Sequence, residues 1–397
     1  MSIEKECTTI ASLTAGSPTE YPSRNVEIVF QMENGCFDVS RLDGHSTNGI
    51  EHPCVVPSQA DSSSSEDERV ERIRGFMQRR EILTLPATPG VVRSTTSQAS
   101  TLPWSIPILD SHIHLFDTSR PEGVPWPQKS DSVLYQPALP DRFAKIVEPL
   151  GVVGAIVMEA SPLAIDNHWV LGVAVDHPII VGMVGSLVPG SASYLPELDR
   201  LHANPLFLGI RYGNLWNRDL GSDMKKPGFL AGIDRLAELG LALDTANPDP
   251  ALIHVVNDLS DRIPNLRIVI DHLPSSPIPT AAHSRAEYWS QLRHLSQNPN
   301  IFIKFSEIPV CVEGVVPKDA AFYKERLDAI WDVFGEDHIL YGSDWPNSDH
   351  LASYAETLSI VCGYVAAKGY AACQKFFWQN SIAAYRWNRR QSSQPAL

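Results

Sequence analysis

The sequence predicts an α/β fold: a (β/α)8 TIM barrel preceded by a largely irregular N-terminal extension. From Ile106 onward, eight short apolar runs alternate with amphipathic stretches over about 280 residues, close to the length typical of such barrels. No glycine-rich G-x-G-x-x-G turn follows the first run, which disfavours the open dinucleotide-binding sheet that is the alternative. Eight repeats of strand and helix therefore favour a sheet that closes on itself.

The eight predicted strands are rich in Val, Ile, Leu and Phe, as expected for strands buried on both faces. In chain order they are IPILDSHIH, VVGAIVMEA, IIVGMVGSL, LFLGIRYG, LALDTA, LRIVIDHL, IFIKFSEI and HILYGSD. Between them, apolar residues recur at helical spacing in stretches such as LPDRFAKIVEPLG, YLPELDRLH, GFLAGIDRLAELG, PALIHVVNDLSDRIP and YKERLDAIWDVFG. Strands that alternate with helices predict a parallel sheet covered by helices.

The N-terminal residues 1–104 differ in composition from the predicted barrel, 105–390, and from a short C-terminal tail, 391–397. They contain serine-rich stretches such as SSSSEDER and STTSQAST, which bury too little apolar surface to offset chain entropy. Asn34-Gly35 between two strand-like runs predicts a hairpin, and a capping box at Ser65 and Glu68 predicts a short helix. These two elements do not make a core, so we expect a mostly flexible arm.

Composition excludes several classes of function. The formal net charge of −14 leaves no basic stripe for nucleic acid, and no apolar run approaches the roughly 20 residues of a membrane span. The six cysteines form no CxxC pair and are interpreted as reduced thiols. The N-terminus has no uninterrupted apolar segment typical of secretion signals, so a cytoplasmic location is expected. The expected partner is a small-molecule substrate, and a homo-oligomer is left open.

Seven of the eight predicted strands end in an ionisable residue. In the first, DSHIH, His112 and His114 lie two residues apart and share a strand face, with Asp110 expected beside them. The other six strands end in Glu159, Arg211, Asp244, His272, Glu307 and Asp344. Because catalytic groups of TIM barrels lie at the carboxyl ends of the strands, this convergence predicts one active site at the barrel mouth.

Three of these strand ends carry a resemblance to a known family. DSHIH in the first strand, IDHL in the sixth and YGSDWP in the eighth resemble the amidohydrolase superfamily. They resemble more narrowly its amidohydrolase-2 group, which contains sugar-lactone and dicarboxylate-lactone hydrolases. The stretches KFSEIP and FGEDHILYGSDWP add to the resemblance, which covers roughly residues 105–390. It implies a TIM-barrel hydrolase that opens a small cyclic ester, a sugar- or carboxylate-derived lactone, with activated water.

The resemblance also implies a divalent metal, but the sequence departs from the metal-dependent relatives. Those relatives complete the metal site with a lysine or glutamate on strand four or a histidine on strand five, where this chain has Arg211 and Asp244. Two alternatives stay open. With a metal, for which Zn²⁺ is the expected ion, the ligands would be His112, His114, Asp344 and Glu159. Without one, the strand-one histidines and His272 would polarise the substrate carbonyl as hydrogen-bond donors.

Roles follow for individual residues. Asp344 is the expected general base, with His112, His114 and His272 as the other catalytic residues. The predicted substrate-binding residues are Arg211, Trp126, Asp244 and Trp345. Arg211 would anchor a carboxylate or hydroxyls, or else form an ion pair at the barrel rim. Lys304 is expected to be a buried lysine paired with an acid.

Two other functions compete with lactone hydrolysis. A related barrel could act as a metal-dependent, non-oxidative decarboxylase of an aromatic or unsaturated acid. A barrel without catalysis could serve for binding, but this would predict loss of the catalytic residues, and the histidines and Asp344 are present. The serine-hydrolase motif G-x-S-x-G is absent, which disfavours a serine nucleophile for the same esters.

Overall fold

The computed structural model describes residues 29–33, 36–40 and 102–396, and residues 1–94 and 95–397 form separate compact units. In the first unit, strands Val29–Glu33 and Cys36–Ser40 pair antiparallel, with Glu33 opposite Cys36. This is the pairing that a hairpin turn at Asn34-Gly35 requires. The short helix predicted to begin at Ser65 lies outside the described residues.

The second unit contains eight parallel strands, each paired with the next in chain order. They are β1 Ile108–His114, β2 Val152–Met158, β3 Ile180–Gly185, β4 Phe207–Arg211, β5 Ala242–Thr245, β6 Arg267–Ile270, β7 Ile301–Phe305 and β8 Ile339–Tyr341. Just beyond β8, Asp344 N donates to His112 O (2.8 Å) and His114 N donates to Trp345 O (2.7 Å). These bonds bring the last strand's end against the first, and the predicted (β/α)8 barrel is confirmed.

Helices cover the outside of the barrel. They are α1 Pro140–Val147, α2 Ala164–Ala174, α3 Tyr194–His202, α4 Leu220–Asp223, α5 Phe229–Glu238, α6 Pro250–Arg262, α7 Ala282–Leu295, α8 Ala320–Phe334, α9 Tyr354–Val365, α10 Tyr370–Gln374 and α11 Asn380–Tyr385. In α6, Leu252, Val256 and Leu259 are buried, at the spacing that turns one helix face to the sheet. Asp249 caps this helix by accepting from Leu252 N (2.7 Å).

Glycine permits a close approach that positions the active site. A Cβ built on Gly342, directly after β8, would lie 2.6 Å from the Cβ of His112 and 3.1 Å from Cδ of Lys304. Any larger residue would displace one of these side chains. The backbone after β8 can therefore pass directly against β1.

The C-terminal residues belong to the barrel unit as far as Gln394. Its side-chain amide is buried and donates to the carbonyls of Val153 (3.0 Å) and Pro178 (2.8 Å). These bonds satisfy carbonyls that would otherwise be buried without a donor, and the domain boundary at 391 stays a prediction. None of the helices in residues 102–396 is long and apolar enough to cross a membrane. Cys311, Cys362 and Cys373 are free thiols.

Candidate active site

Four of the predicted side chains meet at the carboxyl end of the barrel. The Nε2 atoms of His112 and His114, on β1, lie 3.4 Å and 3.1 Å from Oδ1 of Asp344, which follows β8. The ring of His272, which follows β6, lies 4.5 Å from that of His112 between centroids. All four residues are buried. We call His112, His114, His272 and Asp344 the histidine–aspartate cluster.

Asp110 does not join the cluster, although the strand alternation predicts that it should. Its carboxylate accepts from Ser343 N (2.9 Å) and from the hydroxyl of Tyr354 on α9 (2.9 Å). The pairing of β1 with β2 shifts register between Asp110 and Ile113. Because such an irregularity breaks the two-residue alternation, the strand pattern cannot be carried across it.

The backbone conformation at three neighbouring strand ends is unusual. His272, Glu307 and Asp344 follow β6, β7 and β8, and their φ angles are 56°, 50° and 61°. A left-handed conformation is uncommon outside glycine and costs roughly 1–3 kcal/mol, and such strain gathers at functional sites. This left-handed conformation directs the side chains of His272 and Asp344 into the cluster.

A network of buried ion pairs lies beside the cluster. Lys304 Nζ contacts Oδ2 of Asp244 and Oδ1 of Asp271, both at 2.8 Å. Arg211 Nε donates to Asp271 Oδ2 (2.8 Å), and the hydroxyl of Tyr385 donates to Asp244 Oδ2 (2.5 Å). The expectation that Lys304 is a buried lysine paired with an acid is confirmed. Arg211 forms an ion pair, which is one of the two alternatives that the sequence left open. Its role as a substrate anchor stays a prediction.

Burial and neighbouring charges set the protonation of the cluster. Burial acts to raise the pKa of Asp344, but its hydrogen bond with His114 and the nearby His272 outweigh this and lower the pKa below its usual range. Burial holds the pKa of His112 and His272 well below that of a free histidine. At neutral pH the site therefore combines an ionised Asp344 with neutral imidazoles at His112 and His272.

Hydrogen bonds fix the tautomer of His272. Its Nε2 lies 3.0 Å from Arg211 Nη2, and its Nδ1 lies 2.8 Å from Ser306 Oγ. Arginine can only donate, so Nε2 accepts and the ring proton is on Nδ1, directed at Ser306. Neither ring nitrogen is a free donor in this arrangement, and the donation from His272 to a substrate carbonyl stays a prediction.

The cluster fits a divalent cation. His112, His272 and Asp344 each offer a ligand atom within 4.8 Å of the others, and both ring nitrogens of His112 are buried without a hydrogen bond. His114 Nδ1 lies 3.2 Å from the carbonyl of Met158, and its Nε2 lies 3.1 Å from Asp344 Oδ1. Imidazole and carboxylate ligands suit Zn²⁺.

Glu159, the fourth expected metal ligand, is held by other residues. Its Oε1 accepts from Trp216 Nε1 (3.2 Å) and its Oε2 pairs with Arg218 Nη1 (3.5 Å). Burial raises its pKa, although Arg218 and Arg211 act in the opposite direction. Among the described residues, the group with ligand atoms in mutual reach does not include Glu159. The structure therefore places it in the wall of the site beside the cluster.

Three predicted substrate-binding residues have different surroundings. The partly buried Trp126 lies 5.5 Å from His114 between ring centroids and lines a narrow cleft that Glu159 also lines. Trp345 is fully buried between Phe143 and the guanidinium of Arg142. Asp244 is equally buried in its ion pair. Neither Trp345 nor Asp244 has an exposed surface, and substrate binding by Trp345, Asp244 and Trp126 stays a prediction.

Sequence reasoning named Glu307 as a strand end but gave it no role, and it missed Trp216 and Arg218. The carboxyl group of Glu307 is oriented by Ser275 Oγ, 2.9 Å from Oε2, and its Oε1 lies 3.8 Å from His272 Nε2. Burial, with the charge of Asp344, raises the pKa of Glu307 to about 7. Its position at a strand end was a usable signal. Trp216 and Arg218 come from the loop after β4 and carried no signal, because loop paths do not follow a periodic pattern.

Comparison with known proteins agrees with this geometry. The sequence profile described as amidohydrolase matches residues 109–387. The chain belongs to the amidohydrolase family. This confirms the resemblance of the strand-end motifs. The amidohydrolase is therefore an enzyme, a hydrolase, rather than a barrel used for binding alone.

Two curated relatives and one solved structure match this chain over nearly their own whole length. An L-fucono-1,5-lactonase from Burkholderia ambifaria is 27% identical over 72% of this amidohydrolase and 98% of its own length. A second protein of that name, from Burkholderia multivorans, is 24% identical over 69% of this chain and 94% of its own. An amidohydrolase from B. multivorans, solved with bound zinc, is 21% identical with a TM-score of 0.60, over 71% of this chain and all of its own. That likeness shows a shared fold.

Proposed function

We propose that this amidohydrolase opens a small, sugar-derived lactone by adding water to the ring carbonyl at the barrel mouth. The assembled histidine–aspartate cluster carries the proposal, because it combines an ionised carboxylate with three imidazoles around one point. The names of the two curated relatives, both L-fucono-1,5-lactonases, support a lactone as substrate.

Asp344 is the proposed base. Its Oδ2 accepts from Asn347 Nδ2 (2.7 Å) while Oδ1 faces the histidines. The lowered pKa keeps the carboxylate ionised at neutral pH, so it can accept a proton from a water molecule held between it and the substrate carbonyl.

His112, His114 and Asp344 would hold a divalent ion, because Nε2 of His272 already accepts from Arg211. Such an ion polarises a carbonyl and makes bound water more acidic. The remaining residues of the chain orient these side chains. Oδ1 of Asp271 lies 3.5 Å from Nδ1 of His112, the carbonyl of Met158 orients His114 and Ser306 orients His272. Partners of this kind fix which ring nitrogen faces a metal or a substrate.

Charge around the cluster favours a neutral substrate. Arg211 pairs with Asp271, Arg218 with Glu159, and Lys304 with two aspartates. Each of these cations is neutralised inside the protein, whereas Asp344 adds negative charge at the mouth, as Glu307 does in its ionised form. A dicarboxylate lactone would meet no unpaired cation among these three, so a neutral, hydroxylated lactone fits better. Arg211 Nη1, which takes no part in the pairs above, is the proposed donor to a substrate hydroxyl.

Activity of the full-length protein on a substrate panel tests the proposal. The panel comprises neutral 1,4- and 1,5-aldonolactones, dicarboxylate lactones and aromatic acids, with proton release reporting ring opening and CO₂ release reporting decarboxylation. Metal content is measured separately by mass spectrometry. We expect neutral aldonolactones to be opened with the highest kcat/KM. CO₂ release from an aromatic acid, with no lactone opened, would replace this proposal by the decarboxylase.

A further inference from the structure

Glu307 is an ionisable residue at the mouth that the proposed reaction leaves without a role. It follows β7 and has a φ of 50°, between His272 and Asp344, which follow the neighbouring strands with φ angles of 56° and 61°. Three adjacent strands of one barrel thus end in a strained, ionisable residue, and two of the three belong to the histidine–aspartate cluster. The distance of 3.8 Å between Glu307 Oε1 and His272 Nε2 places Glu307 beside the same site.

Glu307 differs from the cluster in its exposure. Its side chain is 34% exposed, against 1% for Asp344, 3% for His272 and 8% for His114. Oε2 is 2.9 Å from Ser275 Oγ, which orients the carboxyl group, and Oε1 lies on the side of His272 at 3.8 Å. The carboxyl group is therefore held in place, adjoins the cluster and remains accessible from the mouth.

We propose that Glu307 is a specificity-determining residue that accepts a hydrogen bond from a hydroxyl of the lactone bound at the cluster. The inference rests on the proposed lactonase function and deepens it. A carboxylate is a strong acceptor for hydroxyl groups, because charge-assisted hydrogen bonds are about twice as strong as neutral ones. In its ionised form Glu307 also repels an anionic lactone. Glu307 would thus select neutral, hydroxylated rings over both unsubstituted and acidic ones.

The backbone strain gives the proposal a second, independent consequence. Glycine adopts a positive φ without penalty, so Glu307→Gly should relieve strain while it removes the acceptor. We therefore expect Glu307→Gly to unfold at a Tm equal to or above that of the parent protein, and to lose selectivity.

Selectivity is the deciding measurement. For the parent protein and for Glu307→Gln, kcat/KM is measured on a hydroxylated 1,5-aldonolactone and on unsubstituted δ-valerolactone. Glutamine preserves the shape and the contact with Ser275 but removes the charge. The ratio of the two kcat/KM values should fall about tenfold or more, as expected for loss of a hydrogen bond to a charged group, with most of the change in KM for the hydroxylated lactone.

Glu313→Gln is the matched control. Glu313 lies in the loop after β7, is exposed, and also has a positive φ, of 51°. Its substitution should leave the selectivity ratio as in the parent protein. Zinc content and zinc affinity, followed by mass spectrometry and calorimetry, should be equal in the parent, Glu307→Gln and Glu313→Gln proteins.

Three results would overturn the inference. An unchanged ratio in Glu307→Gln would show that no substrate hydroxyl meets this residue. Loss of zinc in Glu307→Gln would make Glu307 a metal ligand, and a large fall in Tm in Glu307→Gly would make its role structural. If the parent protein opens no lactone at all, the proposed function itself fails, and this outcome is distinct from an unchanged ratio in an active enzyme.

Discussion

At the scale of single residues, Asp344 joins the two halves of the site. Its Oδ1 faces the histidines of β1, and its backbone N–H binds the carbonyl of His112. The left-handed conformation at Asp344 is fixed by both contacts. A base that is located by its own backbone and by two side chains loses little entropy when it meets water.

We expect Asp344→Asn to lower kcat by at least about a hundredfold, because an amide cannot take the proton from water. The shape of the side chain is retained, so the far-UV circular dichroism spectrum and Tm should stay close to those of the parent. Steady-state kinetics on the lactone that the parent opens best provide the measurement. An unchanged kcat would remove Asp344 from the mechanism.

Asp110 makes a pH-dependent contribution to stability. Burial raises the pKa of Asp110 from its ordinary value of 3.8 to about 6, although hydrogen bonds with Ser343, His112 and Tyr354 act to lower it. The folded protein therefore holds a proton more tightly than the unfolded chain between these two pH values. Stability from Asp110 is fully present below about pH 4 and is lost as the pH rises through about 6, by about 3 kcal/mol at 1.36 kcal/mol per pKa unit.

Asp110→Asn tests this sign, because asparagine resembles the protonated carboxyl group in shape and charge. Urea unfolding of both proteins at several pH values between 4 and 8 gives the difference in free energy of unfolding. As the pH rises from 4 to 6, we expect the variant to become more stable relative to the parent protein. Above pH 7 the difference in free energy of unfolding should stay constant. A difference that does not vary with pH would contradict the raised pKa.

At the scale of elements, the contact between β1 and the segment after β8 positions the cluster. This segment carries Gly342, which lies against His112 and Lys304, and it ends in Asp344. The strand ends supply the functional groups, and the absence of a side chain at Gly342 lets them approach. The same contact joins the last and first strands, so barrel closure and site assembly depend on each other.

Gly342→Ala tests this coupling. The added Cβ would lie 2.6 Å from Cβ of His112, which is attached to the backbone and cannot rotate away. We expect a loss of about 1–3 kcal/mol in the free energy of unfolding, as for other overpacked sites, together with at least tenfold weaker zinc binding because His112 is displaced. Urea unfolding and calorimetry measure the two effects.

Gly172→Ala is the matched control for that substitution. Gly172 lies in α2, and a Cβ there would meet no atom within 4 Å. Alanine has the higher helix propensity by roughly 1 kcal/mol, so stability should rise slightly and zinc affinity should not change. Equal effects of the two substitutions would show that the contact with His112 is irrelevant.

At the scale of the whole molecule, residues 1–94 and 95–397 divide into two compact units, and each member of the active site lies in the second. Trp104 stands near the start of the barrel unit and packs on Tyr370 with ring centroids 5.6 Å apart. The barrel's own contacts thus begin shortly after the boundary between the units.

Removal of residues 1–100 should therefore leave a folded and active barrel. Trp104 remains in this truncated protein, so its contact with Tyr370 is preserved. We expect kcat/KM within about threefold of the full chain and a cooperative thermal transition, because a domain with its own core folds alone. Insolubility of the truncated chain would show that the removed residues cover apolar surface.

The sequence by itself determined the alternation of strands and helices and the chemistry at the strand ends. Periodicity is a local property, and eight buried strands, seven of them with ionisable termini, leave few arrangements other than a barrel with a polar mouth. His112, His114, His272 and Asp344 could be predicted as a group for this reason. Lys304 could also be predicted as a buried partner of an acid, because a lysine amid Ile and Phe needs one.

Only the tertiary structure decided which atoms meet. Arg211 and Asp244 lie at the ends of neighbouring strands, yet Arg211 contacts His272 of the cluster, whereas Asp244 is paired with Lys304 and Tyr385. Trp216 and Arg218 reach Glu159 from a loop. The direction of a side chain at a strand end depends on backbone rotation, on register irregularities such as that after Asp110, and on loops folding back. These are long-range contacts, and no local pattern encodes them.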